Sequence, residues 1–356
     1  MCISRFIRRI VVIRDMSIND ARAIPTDCTS KELPKPRARF VLDKDALGWI
    51  YPMPLRQKIM QLVDVTDEPV TAVQVEADPT LLADVELLFS GWRAPRFNQE
   101  MIDAAPNLKA IFYGAGTTGY FICDAIRKRQ IVVTSAIADN SLPVVEFTVA
   151  QIVLCLKRVW QHAYQLKKTR HWTQLPDGPS CYGSTVGLVS LGKIGRHVAQ
   201  RLALMDVNII AYDIQQDEQM RDLYGVKYVS LEDLFTHSDV VSLHTPLMQQ
   251  TQGLITGDLL ASMKQGGCLI NTARGAVMDH EACNQVLAQR PDLLAILDVT
   301  EPEPLPQDSV LWDLPNVIIT PHISGSRGRE CERMGQTMYQ ELQRYLAGKQ
   351  MKCQVK

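Results

Sequence analysis

Seven segments in the later part of the chain decide what it can fold into: "TVGLVS" (185–190), "VNIIAYD" (207–213), "VKYVS" (226–230), "DVVSLHTP" (239–246), "GCLINTARG" (267–275), "LLAILDV" (293–299) and "NVIITPH" (316–322). Each is short and apolar, and none alternates apolar with polar residues. A strand with one wet face alternates; a strand without alternation has both faces covered, which is the condition of a parallel sheet under helices. Helical stretches separate the seven segments, so the connections are right-handed crossovers and the predicted class is α/β, a doubly wound parallel sheet.

An earlier series reads the same way. Its strand candidates are "ARFVL" (38–42), "TAVQV" (71–75), "VELLFS" (85–90), "LKAIFY" (108–113) and "IVVTSA" (131–136), with helical stretches such as "LRQKIMQLVD" and "NQEMIDAAP" between them. At 356 residues the chain is too long for one ordinary core, so two such domains are expected. A long amphipathic helix, "LPVVEFTVAQIVLCLKRVWQH" (142–162), suits a connector, and "TQLPDGPSCYGST" (173–185) is a loop that precedes fresh structure. The last helix, 329–348, ends at Gly348. Residues 1–37 are expected to be an irregular extension: 17–37 are polar with three prolines, and Met16 is an alternative natural start. The basic, apolar opening lacks a small-residue cleavage site, so no targeting signal is expected.

Composition narrows the function. A net charge of −1 argues against nucleic acid or an anionic membrane as the main partner. The most apolar run, 142–156, carries Glu146, Thr148 and Gln151 and is short of a membrane span, so no membrane partner is expected. The nine cysteines are an odd number without a C-x-x-C pair, which reads as free thiols in a reducing, cytoplasmic compartment. No His, Cys and Asp cluster has metal-ligand spacing, so no metal is expected.

The most readable site is "GLVSLGKIGRHVAQRL" (187–202): a strand, then Ser190, Gly192 and Gly195 in an S-x-G-x-x-G turn, then a helix. In a dinucleotide fingerprint the middle glycine lets a pyrophosphate approach the backbone, and the third lets helix and strand pack closely. The helix N-terminus supplies free N–H groups and positive dipole. Ser190 replaces the first glycine, which eases the tight turn. Asp213 ends the next strand, where an acid accepts ribose hydroxyls and repels a 2′-phosphate, so NAD is favoured over NADP. A lone fingerprint equally describes an ordinary strand-to-helix turn; the acid after the following strand tips the reading to a dinucleotide.

In a doubly wound sheet ligands bind beyond the carboxyl ends of the strands. There the later series delivers Arg274, Asp298 followed by Glu303 in a proline-flanked loop, and His322. Taken one by one, these read equally as a surface ion pair, a solvated acid and a strand cap. Taken together they suit hydride exchange at a 2-hydroxy or 2-keto acid. A planar guanidinium binds the carboxylate, and an imidazole trades the proton at the carbonyl oxygen. A carboxylate beside that ring orients it and stabilises imidazolium.

"GLVSLGKIG", "SLHTPLMQQTQGLI", "LINTARG", "LDVTEPEPLP" and "NVIITPHISG", in this order, resemble the D-2-hydroxyacid dehydrogenase family over roughly residues 85–347. The resemblance implies a Rossmann NAD-binding domain (141–325) and a flavodoxin-like substrate domain that is discontinuous (38–140 plus 326–356), in a homodimer. It implies that Arg274 binds and polarises the substrate, that His322 is the acid–base, and that Glu303 is its partner, with Glu301 the rival for that last role. It puts Lys193 and Ile194 on the pyrophosphate through their backbone, Thr245, Pro246, Thr251, Thr272 and Ala273 along the coenzyme, and Asp298 on the nicotinamide amide. His244 ends its strand and is expected near the adenosine half; the remaining histidines read as solvated or structural. In the family a glycine loop of the first domain grips the substrate carboxylate with backbone N–H groups, here at Ala115 and Gly116; Thr118 stands where relatives usually have an aspartate. Trp92 either walls the substrate pocket or packs between domains. The implied activity is interconversion of a small 2-hydroxy acid and its 2-keto acid. The alternative from another class is an NAD(H)-sensing, corepressor-like interaction protein on the same fold.

Overall fold

The computed structural model describes residues 34–172 and 178–355; the expectations for residues 1–33 and for the start of the 173–185 loop lie outside the described residues. The earlier series forms a parallel sheet in the order β1 (Ala38–Val41), β2 (Leu87–Ser90), β3 (Ala110–Tyr113), β4 (Val132–Ser135). The expected strand "TAVQV" is instead the helix Ala72–Ala77. Its branched residues suit a strand, but Thr71 and Gln74 form a capping box: the Thr71 hydroxyl accepts the Gln74 N–H, and the Gln74 side chain accepts the Thr71 N–H at 2.8 Å. Reciprocal satisfaction of two free donors starts a helix and outweighs a weak β preference. The pairing expected of that strand falls a few residues earlier, where Asp64 and Val70 bridge the open side of β1 in parallel sense.

The later series forms a seven-stranded sheet, parallel throughout, in the order β11 (Val317–Ile319), β10 (Leu294–Leu297), β9 (Cys268–Asn271), β8 (Val240–Leu243), β5 (Thr185–Val189), β6 (Asn208–Tyr212), β7 (Lys227–Tyr228). The strand order reverses between β5 and β8, which opens a crevice at their carboxyl ends.

Burial explains the unbroken apolar runs. Val186, Leu188, Ile270 and Ile296 point into one apolar cluster and Val189, Leu243, Leu269 and Leu297 into another, on opposite faces of the large sheet. The small sheet is covered the same way, with Phe40, Phe89 and Phe112 on one face and Val41, Leu88 and Ile111 on the other. The final helix, Arg329–Leu346, lays Cys331, Met334, Met338 and Leu342 on the phenylalanine face of the small sheet. The chain then turns back, so that Gln354 bridges Thr134 of β4 in antiparallel sense. Buried Glu341 anchors this return by accepting the backbone N–H groups of Lys352 and Cys353 at 2.9 and 3.0 Å.

The expected connector helix is two helices, Ile137–Leu156 and Val159–Thr169. The break is at Arg158, whose φ of 49° is left-handed; its side chain lies against Gly178 and Gly266, where an added Cβ would come within 3.1 and 2.2 Å of it. Ile137–Leu156 is long and apolar enough to cross a membrane by length and composition, contrary to the shorter run read from the sequence. Here it packs on the helix Lys193–Leu202 and on the final helix, and buries Val145, Ile152 and Leu156.

Candidate active site

The glycine turn follows β5 as the sequence predicts, and its parts are separable. A Cβ on Gly195 would lie 2.2 Å from the Ser190 carbonyl oxygen, so the helix can sit this close to the strand only with glycine. A Cβ on Gly192 would meet nothing within 4 Å, so the requirement there is open space above the turn, beside the first N–H groups of the helix Lys193–Leu202. Ser190 takes the left-handed conformation expected of the missing glycine, with φ of 76°.

Asp213 holds that conformation in place. Its Oδ2 accepts the Leu191 N–H at 2.6 Å and the Ser190 hydroxyl at 3.3 Å, and its Oδ1 accepts the Gln215 N–H at 3.0 Å. The departure at Ser190 and the acid at 213 are therefore one device. Three of about four acceptor positions on the carboxylate are taken, which leaves roughly one for a ligand.

His244 ends β8 with its ring edge against Gly195. The residue is part-buried, yet its Nε2 is sealed from solvent and has no hydrogen-bond partner among the described residues. Burial pushes its pKa down to about 4, so the ring is neutral near pH 7. The neutral ring packs against the turn while the space above Gly192 stays open beside the helix N-terminus, and this arrangement fits a dinucleotide. Thr245, Pro246 and Thr251 form a self-braced loop, in which the Thr251 hydroxyl donates to the Pro246 carbonyl at 2.6 Å and accepts the Met248 N–H at 2.8 Å. Thr272 is buried against Thr148, their hydroxyls 3.2 Å apart. Lys193 is exposed and Ile194 half-buried at the start of the helix.

Three adjacent strands deliver the charged groups. After β11, His322 Nδ1 lies 2.6 Å from Glu303 Oε1, and both side chains are partly open to solvent. Glu303, and not its rival Glu301, therefore meets the ring. After β10, Asp298 is 1% exposed and organises the turn that carries His322. It accepts the Thr320 hydroxyl at 2.5 Å and the N–H groups of Ile323 and Ser324 at 2.8 and 2.9 Å, and its own carbonyl accepts the His322 N–H. The carboxylate expected to face a nicotinamide amide is here the post of the histidine loop. After β9, Asn271 ties down the next turn by donating to the Arg274 carbonyl and accepting the Ala273 N–H, both at 3.0 Å. Gly275 then passes so near Thr300 that a Cβ would lie 2.0 Å from its carbonyl oxygen, which packs the arginine turn against the glutamate loop. The guanidinium of Arg274 reaches the Thr117 hydroxyl at 3.3 Å, in the glycine loop of the small sheet.

In that loop Ser135 donates to the carbonyl of Gly116 at 2.6 Å and lies 3.0 Å from that of Ala115, and the amide N–H groups of Ala115 and Gly116 have no acceptor among the described residues. Ser135 thus braces the loop in this chain, where Thr118 replaces the usual aspartate. Trp92 packs on the apolar clusters of the small sheet rather than between domains, and it lines a cavity of about 450 Å³ together with His322. The neighbouring Arg93 donates to Asp43 at 3.2 Å. The same cavity is walled by Trp49, Asn140, Ser326 and Arg327, none of which carried a signal in the sequence. Asn140 acts as a staple, accepting the Ser326 N–H at 3.1 Å.

All seven described cysteines are free, and no metal-binding group of His, Cys, Asp or Glu occurs among the described residues.

Comparison with known proteins points to one family. Residues 149–324 match the family described as D-isomer specific 2-hydroxyacid dehydrogenase, NAD binding domain. A glyoxylate reductase of Thermofilum pendens is 36% identical over 260 residues, which cover 71% of this chain and 76% of that one. A hydroxypyruvate reductase of Thermotoga maritima is 32% identical over 289 residues, 79% of this chain and 92% of the other. The crystal structure of an Aquifex aeolicus D-lactate dehydrogenase complexed with NAD and lactic acid superposes with a TM-score of 0.70 at 25% identity, over 88% of this chain and 96% of that one. The turn at 190–195, the strand-end trio and these relatives lead to one conclusion: the chain belongs to the D-isomer specific 2-hydroxyacid dehydrogenase family.

Proposed function

We propose that this chain reduces a small 2-oxo acid to the D-2-hydroxy acid, and runs the reverse oxidation, with NAD(H) rather than NADP(H). Membership of the family makes it an oxidoreductase with a nicotinamide coenzyme; the residue roles and the preference for NAD are our reading. The bound nicotinamide supplies or accepts the hydride. The turn at Ser190, Gly192 and Gly195 with the backbone of Lys193 and Ile194 would receive the pyrophosphate, and the charge of Asp213 disfavours a 2′-phosphate.

The observation that carries the proposal is the 2.6 Å contact between His322, beyond β11, and Glu303, beyond β10, the strand next to the one that leads into Arg274. With Nδ1 engaged by Glu303, Nε2 is left to give a proton to the carbonyl oxygen or to take one from the hydroxyl. Arg274 and the free N–H groups of Ala115 and Gly116 would hold the substrate carboxylate. The corepressor-like alternative does not use this trio, and nothing in the structure or the relatives favours it. A homodimer belongs to the same proposal on the family resemblance, and a reducing, cytoplasmic setting on the odd count of cysteines; sedimentation of the purified chain measures the assembly.

Oxidation of NADH and of NADPH against glyoxylate, hydroxypyruvate, pyruvate and branched or aromatic 2-oxo acids tests the proposal. Turnover with NADH on at least one of them is expected. Coenzyme binding without turnover on any of them would instead support the sensor.

A further inference from the structure

The cavity that holds His322 is larger than the shortest 2-oxo acids need. About 450 Å³ equals the liquid volume of roughly fifteen waters, whereas glyoxylate has five non-hydrogen atoms. Its walls are of two kinds. Trp49 and Trp92 are broad and apolar, and Trp49 is 57% exposed although it is the kind of side chain that folding usually hides. Ser326 and Arg327, consecutive residues just beyond His322, are polar and unsatisfied. Ser326 is 6% exposed, and its hydroxyl has no hydrogen-bond partner among the described residues. The guanidinium of Arg327 makes no hydrogen bond or ion pair among the described residues. The nearest acid in the chain, Glu330, is held on the Arg327 backbone N–H at 2.8 Å, and Arg333 is engaged with Asp139. A buried hydroxyl without a partner and an exposed guanidinium without an ion pair, both on the wall of one cavity, suit an anion from outside the chain.

We infer that the substrate is a 2-oxo acid whose side chain ends in a second carboxylate, which Ser326 and Arg327 receive while Trp49 and Trp92 flank the methylenes between the two acid groups. The inference rests on the reading of the site given above and adds the substrate class.

The test compares 2-oxoglutarate with 2-oxopentanoate, which match in chain length and differ in the terminal acid, using the full chain and NADH. The readout is the ratio of their kcat/KM values. The wild type is expected to favour 2-oxoglutarate by about tenfold or more, the scale of a charge-assisted contact. Arg327→Leu brings the ratio to about one, and Arg327→Lys leaves it between the two. A wild-type ratio of one or less overturns the inference. So does an Arg327→Leu variant that slows both substrates alike, because that is the mark of a structural arginine. If no 2-oxo acid of any length is reduced while NADH still binds, the reading of the site falls first and this inference falls with it.

Discussion

Ser190 and Asp213 show how a departure from a motif is absorbed. A serine at φ of 76° is strained by about 1–2 kcal/mol relative to glycine, and Asp213 offsets this by holding both the serine hydroxyl and the next N–H. Asp213→Ala therefore does two things. It narrows the gap between NADH and NADPH, and it weakens NADH itself by about tenfold because the turn loses its brace; fluorescence titration of both coenzymes measures this, and an unchanged preference removes Asp213 from coenzyme selection. His244 supplies a pH signature. In the unfolded chain it takes up a proton near 6.5, and in the fold only near 4. Its folded pKa is the lower one, so its contribution is complete above 6.5 and is lost as the pH falls from 6.5 towards 4. Urea midpoints for the wild type drop across that window, and His244→Gln shows a smaller drop over the same range; an identical drop assigns the acid sensitivity to other groups.

At the scale of elements, the final helix depends on one missing side chain. A Cβ on Gly335 would lie 1.7 Å from the backbone oxygen of Ile50, so Gly335→Ala forces the helix off the small sheet and costs about 1–3 kcal/mol or more. Thermal unfolding reads this directly, and a melting temperature within a degree of the wild type would show that the helix sits elsewhere. That glycine carried no signal in the sequence, because the carbonyl it accommodates belongs to a residue nearly three hundred positions away. The strands were legible for the opposite reason: burial on both faces writes itself into consecutive residues, as in "LLAILDV" and "NVIITPH". "TAVQV" misled because a two-residue cap, Thr71 with Gln74, decided against its β-branched content. The long connector misled because the chain turns at Arg158, which packs on distant Gly266, and no glycine or proline marks the turn.

In the whole molecule the site is assembled from both sheets. Arg274 at the end of β9 touches Thr117 beyond β3, and His322 beyond β11 shares a cavity with Trp92 beyond β2. The charged trio was readable because each member closes its own strand. Trp49, Asn140, Ser135 and Arg327 were not, since their relevance is a matter of which surface faces which. The account stands on His322 as the group that moves the proton. The direct measurement is steady-state NADH oxidation by His322→Ala with its best 2-oxo acid, alongside NADH affinity by fluorescence titration. The account predicts turnover lower by about 10²–10⁴-fold at an NADH affinity close to that of the wild type; full turnover in the variant would contradict it.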